Sequence, residues 1–218
     1  TNFVNAVRGG TGVAVVHAAD NAFPGWRDYE AIVGLLWRDG TGHGRFHAFD
    51  VHIVDREHPV SAGMLDITEH PDELYHRLVN VHGVDVRVLG AALSKLDTGG
   101  TGKDEPMILV GEFGKGRVFH TPLGHVWRGA NDTRASHLDP QFRRLVARGT
   151  EWAATGACSL DPVPPNWLTP EERAEGFKLL FDGRTTAGWR AYRGEKFPAA
   201  GWTVEQGALS HPAGGGGG

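Results

Sequence analysis

Histidines and carboxylates stand at the ends of three short segments of this sequence: His17 and Asp20 in "VAVVHAADN", Asp72 and Glu73 in "PDELYHRL", and His120 and His125 in "GRVFHTPLGH". Imidazole and carboxylate groups together bind a divalent cation such as zinc, or act as base and acid near neutral pH. The candidate catalytic residues are therefore His17, Asp20, Glu73 and His125. Of these, His17, Glu73 and His125 are the candidate cation ligands, with Asp20 expected to orient His17. The spacing within each segment is not a zinc signature, so the residues serve one site only if the fold gathers the segment ends. A nucleotide cofactor is not expected. "GKGRVFH" reads as a hairpin turn entering a strand, and "TGGTGKDEP" as a loop without the helix that cradles phosphate.

Each candidate also has a plain structural use. His17 suits a strand end bonded to backbone, and His125 suits a turn cap. His120 follows Val118 and Phe119 in a strand and points either into the core or toward the site. Glu73 suits the first turn of a helix, where acids meet the positive end of the dipole. The candidate substrate-binding residues are Asn21, Trp26, Arg117 and His120, with Trp26 as a wall against the C–H face of a sugar. Arg117 pairs equally well with a carboxylate. Trp37 and Trp152 fall at apolar positions of predicted helices and belong to the core. His43, His47, His52, His58, His70, His76 and His82 show no ligand spacing and are placed on surfaces or strand faces.

The elements that must position these residues alternate along the chain. Short apolar runs and probable helices between Val13 and about Ala157 predict a layered α/β domain with a parallel sheet. "LDPVPPNWLTPEE" reads as a proline-rich linker ending in a helix cap, Thr169 with Glu172. Beyond it, "FKLLFDGRTTAGWRAYRG" and "GWTVEQGALSHP" predict the opening strands of an all-β domain, with Trp189 and Trp202 in its core. The expected division is 1–158, a linker at 159–170, and 171–218. The chain starts at Thr1 on what reads as the last turns of a helix and stops in a glycine run, so both domains are expected to be incomplete.

Composition narrows the partners. The net charge of −4 and the lack of a long basic run argue against nucleic acid, and no apolar stretch is long enough to span a bilayer. The single cysteine, Cys158, forms no internal disulfide and leaves the compartment open, periplasmic or cytoplasmic. Oligomeric state is equally open.

Taken in order, "GTGVAVVHAADNAFPGWRDYEAIVG", "EHPVSAG", "DELYHRL", "DEPMILVGEFGKGRVFHTPLGH" and "RGTEWAATG" resemble the ThuA-like, trehalose-utilisation family. That resemblance implies a flavodoxin-like fold similar to class I glutamine amidotransferases. Those enzymes carry a nucleophilic cysteine at the strand tip where this chain has His17, so thiol chemistry is not expected. "GFKLLFDGRTTAGW" with "GWTVEQGAL" resembles the start of a 3-keto-disaccharide hydrolase, or 3-keto-glucoside lyase/hydratase, domain, which implies a concanavalin-like β-sandwich. Together the resemblances imply a small carbohydrate partner and an enzyme acting on 3-keto sugars. The alternatives are a non-catalytic sugar-binding module and a conventional glycoside hydrolase in which Asp20 and Glu73 flank the bond.

Overall fold

A computed structural model describes residues 2–126, 134–198, 200–205 and 207–211; the glycine-rich end lies outside them. The chain forms two compact units, residues 1–163 and 164–218. In the first, helix α1 (Asn2–Gly9) leads to strand β1 (Val13–Val16), a 3-10 turn (His17–Asn21) and helix α2 (Arg27–Val33). Strands β2 (Gly42–His43), β3 (His47–Ile53), β4 (Ile67–Asp72) and β5 (Tyr75–His76) follow. After them come β6 (Val86–Leu93), β7 (Asp104–Phe113) and β8 (Gly116–Thr121), then helices α3 (Ala135–Leu138) and α4 (Pro140–Thr155).

The main sheet has the order β1-β8-β7-β6-β3-β4, and β2 pairs separately with β5. Only β1 and β8 run parallel, with Val13 opposite Val118 and Val16 opposite Thr121; the other neighbours are antiparallel. The expected all-parallel sheet is thus corrected to a mixed one. Connection length is the cause. Phe113 pairs with Gly116 across a tight hairpin, and β6 reaches β7 through a loop with one 3-10 turn (Leu96–Thr98). Parallel neighbours need a crossover of roughly a dozen residues or more.

Alternation along β8 feeds a core on each face. Phe119 packs with Phe142, Leu145 and Trp152 of α4, while Val118 packs with Val7 of α1, Val15 of β1, and Ile32 and Val33 of α2. Helix α4 lies close to the sheet because residue 149 is glycine: a Cβ there would come within 2.4 Å of the Phe119 ring. By the pairing directions, β1, β4 and β8 all point the same way. The residues that follow them emerge at one end of the sheet.

The second unit contains helix α5 (Pro170–Ala174), begun by the expected capping box of Thr169 and Glu172, and the antiparallel pair β9 (Thr203–Glu205) and β10 (Ala208–Ser210). The predicted strands between Phe177 and Gly194 do not form. Trp189 and Trp202 are 41% and 37% exposed rather than buried. Among the described residues the two paired strands have no second sheet to bury aromatic side chains against.

Candidate metal centre

His17, Glu73 and His125 meet at that end of the sheet. One ligand atom from each lies within 4.8 Å of the other two. His17 comes directly after β1 and adopts a φ of 48°, the left-handed region that residues with a side chain seldom enter. This abrupt change of direction begins the 3-10 turn and costs about 1 kcal/mol. Its Nδ1 lies 2.8 Å from the Pro122 carbonyl. A carbonyl only accepts, so Nδ1 carries the proton and Nε2 presents its lone pair inward. There the Tyr75 hydroxyl approaches Nε2 at 2.9 Å, and His125 Nδ1 lies 3.2 Å away. The Glu73 carboxylate is 3.1 Å from His125 Nδ1 and 3.6 Å from His43 Nδ1.

Burial drives the His17 imidazole below its usual range, and this outweighs the Pro122 hydrogen bond and the Asp72 charge that favour protonation. A neutral ring at pH 7 is the form that binds a cation. Burial, then the charges of Asp20 and Glu73, pushes the Tyr75 phenol well above its normal range, so it keeps its proton. Two imidazole nitrogens and one carboxylate match the donor set of catalytic zinc sites, which leave a position for water or substrate. The Pro122 carbonyl provides the orienting bond such a histidine normally has.

Asp72 sets the position of His125. Fully buried at the end of β4, its carboxylate accepts from the backbone N–H groups of Gly124 at 2.6 Å, His125 at 3.1 Å and Glu73 at 2.7 Å. The Ser136 hydroxyl and His70 Nε2 donate to it at 2.8 and 3.0 Å. The other His70 nitrogen donates to Asp139 at 2.6 Å, and Asp139 also caps α4 by accepting from Gln141 N. Burial alone would lower the His70 imidazole, but the hydrogen bonds and charges of Asp139 and Asp72 hold it at about 8. Burial likewise pushes the Asp72 carboxyl up, while His70, Gly124 and Ser136 bring it below its usual range.

Several sequence expectations are corrected. Asp20 does not orient His17, because the Pro122 carbonyl does. The Asp20 carboxylate is fully buried, 3.7 Å from His120 Nε2, and neither side chain has a hydrogen-bond partner among the described residues. With no exposed surface, Asp20 cannot face Glu73 across a sugar, and His120, 1% exposed, cannot touch one. Arg117 donates to the carbonyls of Trp152, Ala153 and Ala154 at the end of α4, so its role is structural. Trp26 stacks on Tyr29 and packs against Phe3 and Phe23. "DELY" forms no helix: Asp72 ends β4 and Tyr75 begins β5.

The structure adds residues the sequence reading placed elsewhere. Gly34, at φ 84°, ends α2, so Trp37 lies outside any helix and contacts the Tyr75 ring at 4.5 Å and the His43 ring at 5.9 Å. Phe46 sits 6.3 Å from the His125 ring. His43 and Tyr75 are paired across β2 and β5. The glycine after "YEAIV" is the one sequence signal that would have freed Trp37 from the helix.

Comparison with known proteins shows the family. The sequence matches the ThuA family, described as trehalose utilisation, over residues 1–153. A ThuA-like protein from Parabacteroides merdae superposes with a TM-score of 0.69 at 32% identity, covering 77% of this chain and 68% of that one. A ThuA-like protein from Bacteroides uniformis gives a TM-score of 0.48 at 16% identity, covering 72% of this chain and 64% of its own. A cytoplasmic protein from Salmonella typhimurium gives 0.47 at 16% identity, covering 70% and 58%. None of the curated proteins matches the chain in sequence. By its sequence match and its 32% identity to a solved relative, the chain belongs to the ThuA-like, trehalose-utilisation family.

Proposed function

We propose that His17, Glu73 and His125 hold a divalent cation, zinc or similar, and that the protein is a carbohydrate enzyme acting on a 3-keto sugar or 3-keto-glycoside. One observation carries the reading: three ligand atoms converge within 4.8 Å at one sheet end, with the His17 lone pair aimed inward. The family's description, trehalose utilisation, supports a carbohydrate as the partner.

The chemistry is an elimination. A ketone at C3 acidifies the C2 proton; a base takes that proton, the C–H electron pair becomes the C1–C2 double bond, and the C1 oxygen substituent leaves with the C1–O electron pair and takes the proton back from the protonated base. A bound cation would polarise the ketone oxygen. His43 serves as the base: its Nδ1 donates to the Gly44 carbonyl at 2.8 Å, which leaves Nε2 with a lone pair on a side chain that is 43% exposed. Tyr75 retains its proton, and a cation on His17 Nε2 would take the lone pair that the Tyr75 hydroxyl meets at 2.9 Å, leaving that hydroxyl to donate to a substrate oxygen instead. Addition of water to the new double bond would complete a hydration.

Zinc titration of the chelator-treated protein, followed by calorimetry and by turnover of a 3-keto-glucoside, tests the reading. Stoichiometric zinc binding is expected in the wild type. His17→Ala should weaken it at least tenfold and cut turnover about a hundredfold, the scale of a lost catalytic group. Wild-type zinc affinity in His17→Ala would overturn the metal assignment, and wild-type turnover would remove His17 from the mechanism.

A further inference from the structure

Both ring nitrogens of His70 face carboxylates: Nδ1 lies 2.6 Å from Asp139 and Nε2 lies 3.0 Å from Asp72. An ionised carboxylate only accepts, so the ring satisfies both by carrying two protons, as a cation between two anions. We propose that His70 is a positioning residue for the metal centre: through Asp72 its protonated ring holds the segments that bear Glu73 and His125, and loss of its proton loosens both. The inference rests on the metal reading above and extends it to how the ligands are kept in place.

The connection runs through the two oxygens of Asp72. Oδ1 accepts from the N–H groups of Glu73 and His125 at 2.7 and 3.1 Å, so one atom fixes the backbone of two ligand residues. Oδ2 accepts from the Gly124 N–H at 2.6 Å, the Ser136 hydroxyl at 2.8 Å and His70 at 3.0 Å. Phe142 of α4 stacks on the His70 ring at 5.5 Å and Phe49 of β3 meets it edge-on at 6.0 Å, which fixes its plane. The charges on either side of it are Asp72, from β4, and Asp139, from the start of α4. On β3 the titratable neighbour is His47, opposite Asp72 in the strand register and bonded through Nδ1 to the Arg45 carbonyl. On α3 it is His137, whose Nε2 donates to the Gly124 carbonyl at 2.7 Å.

Removing one proton changes these bonds in a definite order. Facing lone pairs repel more strongly at 2.6 Å than at 3.0 Å, so the neutral ring keeps its remaining proton on Nδ1, toward Asp139. The Nε2 lone pair then faces Asp72 Oδ2. The Ser136 hydroxyl, 3.3 Å from Nε2, can turn its hydrogen to the ring, which takes a second donor from Asp72. A fully buried carboxylate has no bulk water to replace lost partners, so it moves, and the N–H groups of Glu73 and His125 move with it. The positive charge of the ring by itself acts the other way, by repelling a cation. The sign of the pH dependence therefore separates positioning from simple charge. Asp139 and Asp72 hold the His70 proton until about pH 8, above the usual imidazole value of about 6.5.

Zinc affinity of the chelator-treated protein, measured by competition with a calibrated chelator from pH 6 to 9.5, tests the role. An ordinary site of imidazoles and a carboxylate gains affinity with pH as its ligands lose protons. Here affinity should peak near pH 8 and then fall by about tenfold, the low end of what an outer-shell partner contributes. His70→Gln should bind about tenfold more weakly at pH 7 and show no fall. Asp139→Asn keeps an oxygen to cap the Gln141 N–H but removes one of the two charges that hold the proton, so the fall should move to lower pH; this variant keeps the test valid should His70→Gln unfold. In the metal-free protein the Gly124 amide resonance should titrate over the same range as the wild-type fall. Zinc affinity that rises or levels off through pH 9.5, a fall that survives His70→Gln or stays in place in Asp139→Asn, or a Gly124 amide that does not titrate overturns the positioning role and leaves the metal reading standing. No zinc binding at any pH overturns both.

Discussion

Two buried histidine–aspartate pairs flank the proposed centre, and they are built in opposite ways. His70 and Asp72 are fully buried, and between them they engage Asp139, Ser136 and three backbone N–H groups. His120 and Asp20 are buried to the same degree, 3.7 Å apart, and their side chains engage no one else among the described residues. A buried charge is tolerable when every lone pair and proton is answered, and costly when they are not. The first pair therefore anchors the loop that carries His125. The second is a local weakness beneath the turn that carries His17, in a fold that must draw its stability from elsewhere.

Removing the carboxylate from the satisfied pair should have the largest effect. Asp72→Ala leaves His70 and the backbone N–H groups of Gly124 and His125 without their partner, so about 3–5 kcal/mol of unfolding free energy should be lost. Zinc affinity should fall with it although Asp72 is not a ligand; urea denaturation and zinc titration of the same variant measure the two losses. An unchanged urea midpoint would erase the contrast between the pairs.

Acid–base titration sharpens the same contrast. His70 is held at about 8 when folded, against about 6.5 when unfolded. Its contribution is complete below pH 6.5 and declines as pH rises through 8, by about 2 kcal/mol in all. Urea denaturation across pH 6 to 9 should show that decline, and His70→Gln should remove it.

The unsatisfied pair should respond in the other direction. Replacing both members, Asp20→Ala with His120→Leu, should leave stability unchanged or raise it by about 1 kcal/mol, since an unanswered buried pair is often improved by apolar groups. A loss of several kcal/mol would show that the pair is partnered after all. The smallest effect belongs to Cys158→Ser: the thiol donates to the Arg148 carbonyl beside the α4 core and is not among the grouped candidate ligands, so unfolding free energy should shift by less than about 0.5 kcal/mol with turnover intact.

How legible this was in the sequence depends on the kind of interaction. The segments holding the three ligands could be chosen because an apolar run ending in histidine or a carboxylate is visible locally, and β6 and α4 follow the apolar pattern closely. Sheet direction was not visible, because it depends on which strands pair, and the apolar runs look alike in either orientation. His70 was hidden for a related reason. Its two partners are Asp72, on the same strand, and Asp139, which only the completed fold brings across from the start of α4. Trp26 and Trp37 were misplaced for the same reason: sequence proximity to His17 favoured the first, whereas the contact of the Trp37 ring with Tyr75 at 4.5 Å exists only once the chain has folded.

The left-handed backbone of His17 has an evolutionary consequence. Glycine enters that conformation without a steric penalty, so the backbone by itself gives no reason to keep a side chain there, and what the fold gains from the imidazole is its bonds to the Pro122 carbonyl and the Tyr75 hydroxyl. A laboratory lineage selected only for heat resistance, with no sugar or metal in the assay, holds histidine at 17 for those two bonds alone and drifts once compensating changes at 75 and 122 supply other partners. Populations carried under the two regimes, with and without a demand for turnover, should diverge at this codon before they diverge in the valines of β1, which both regimes need for the core.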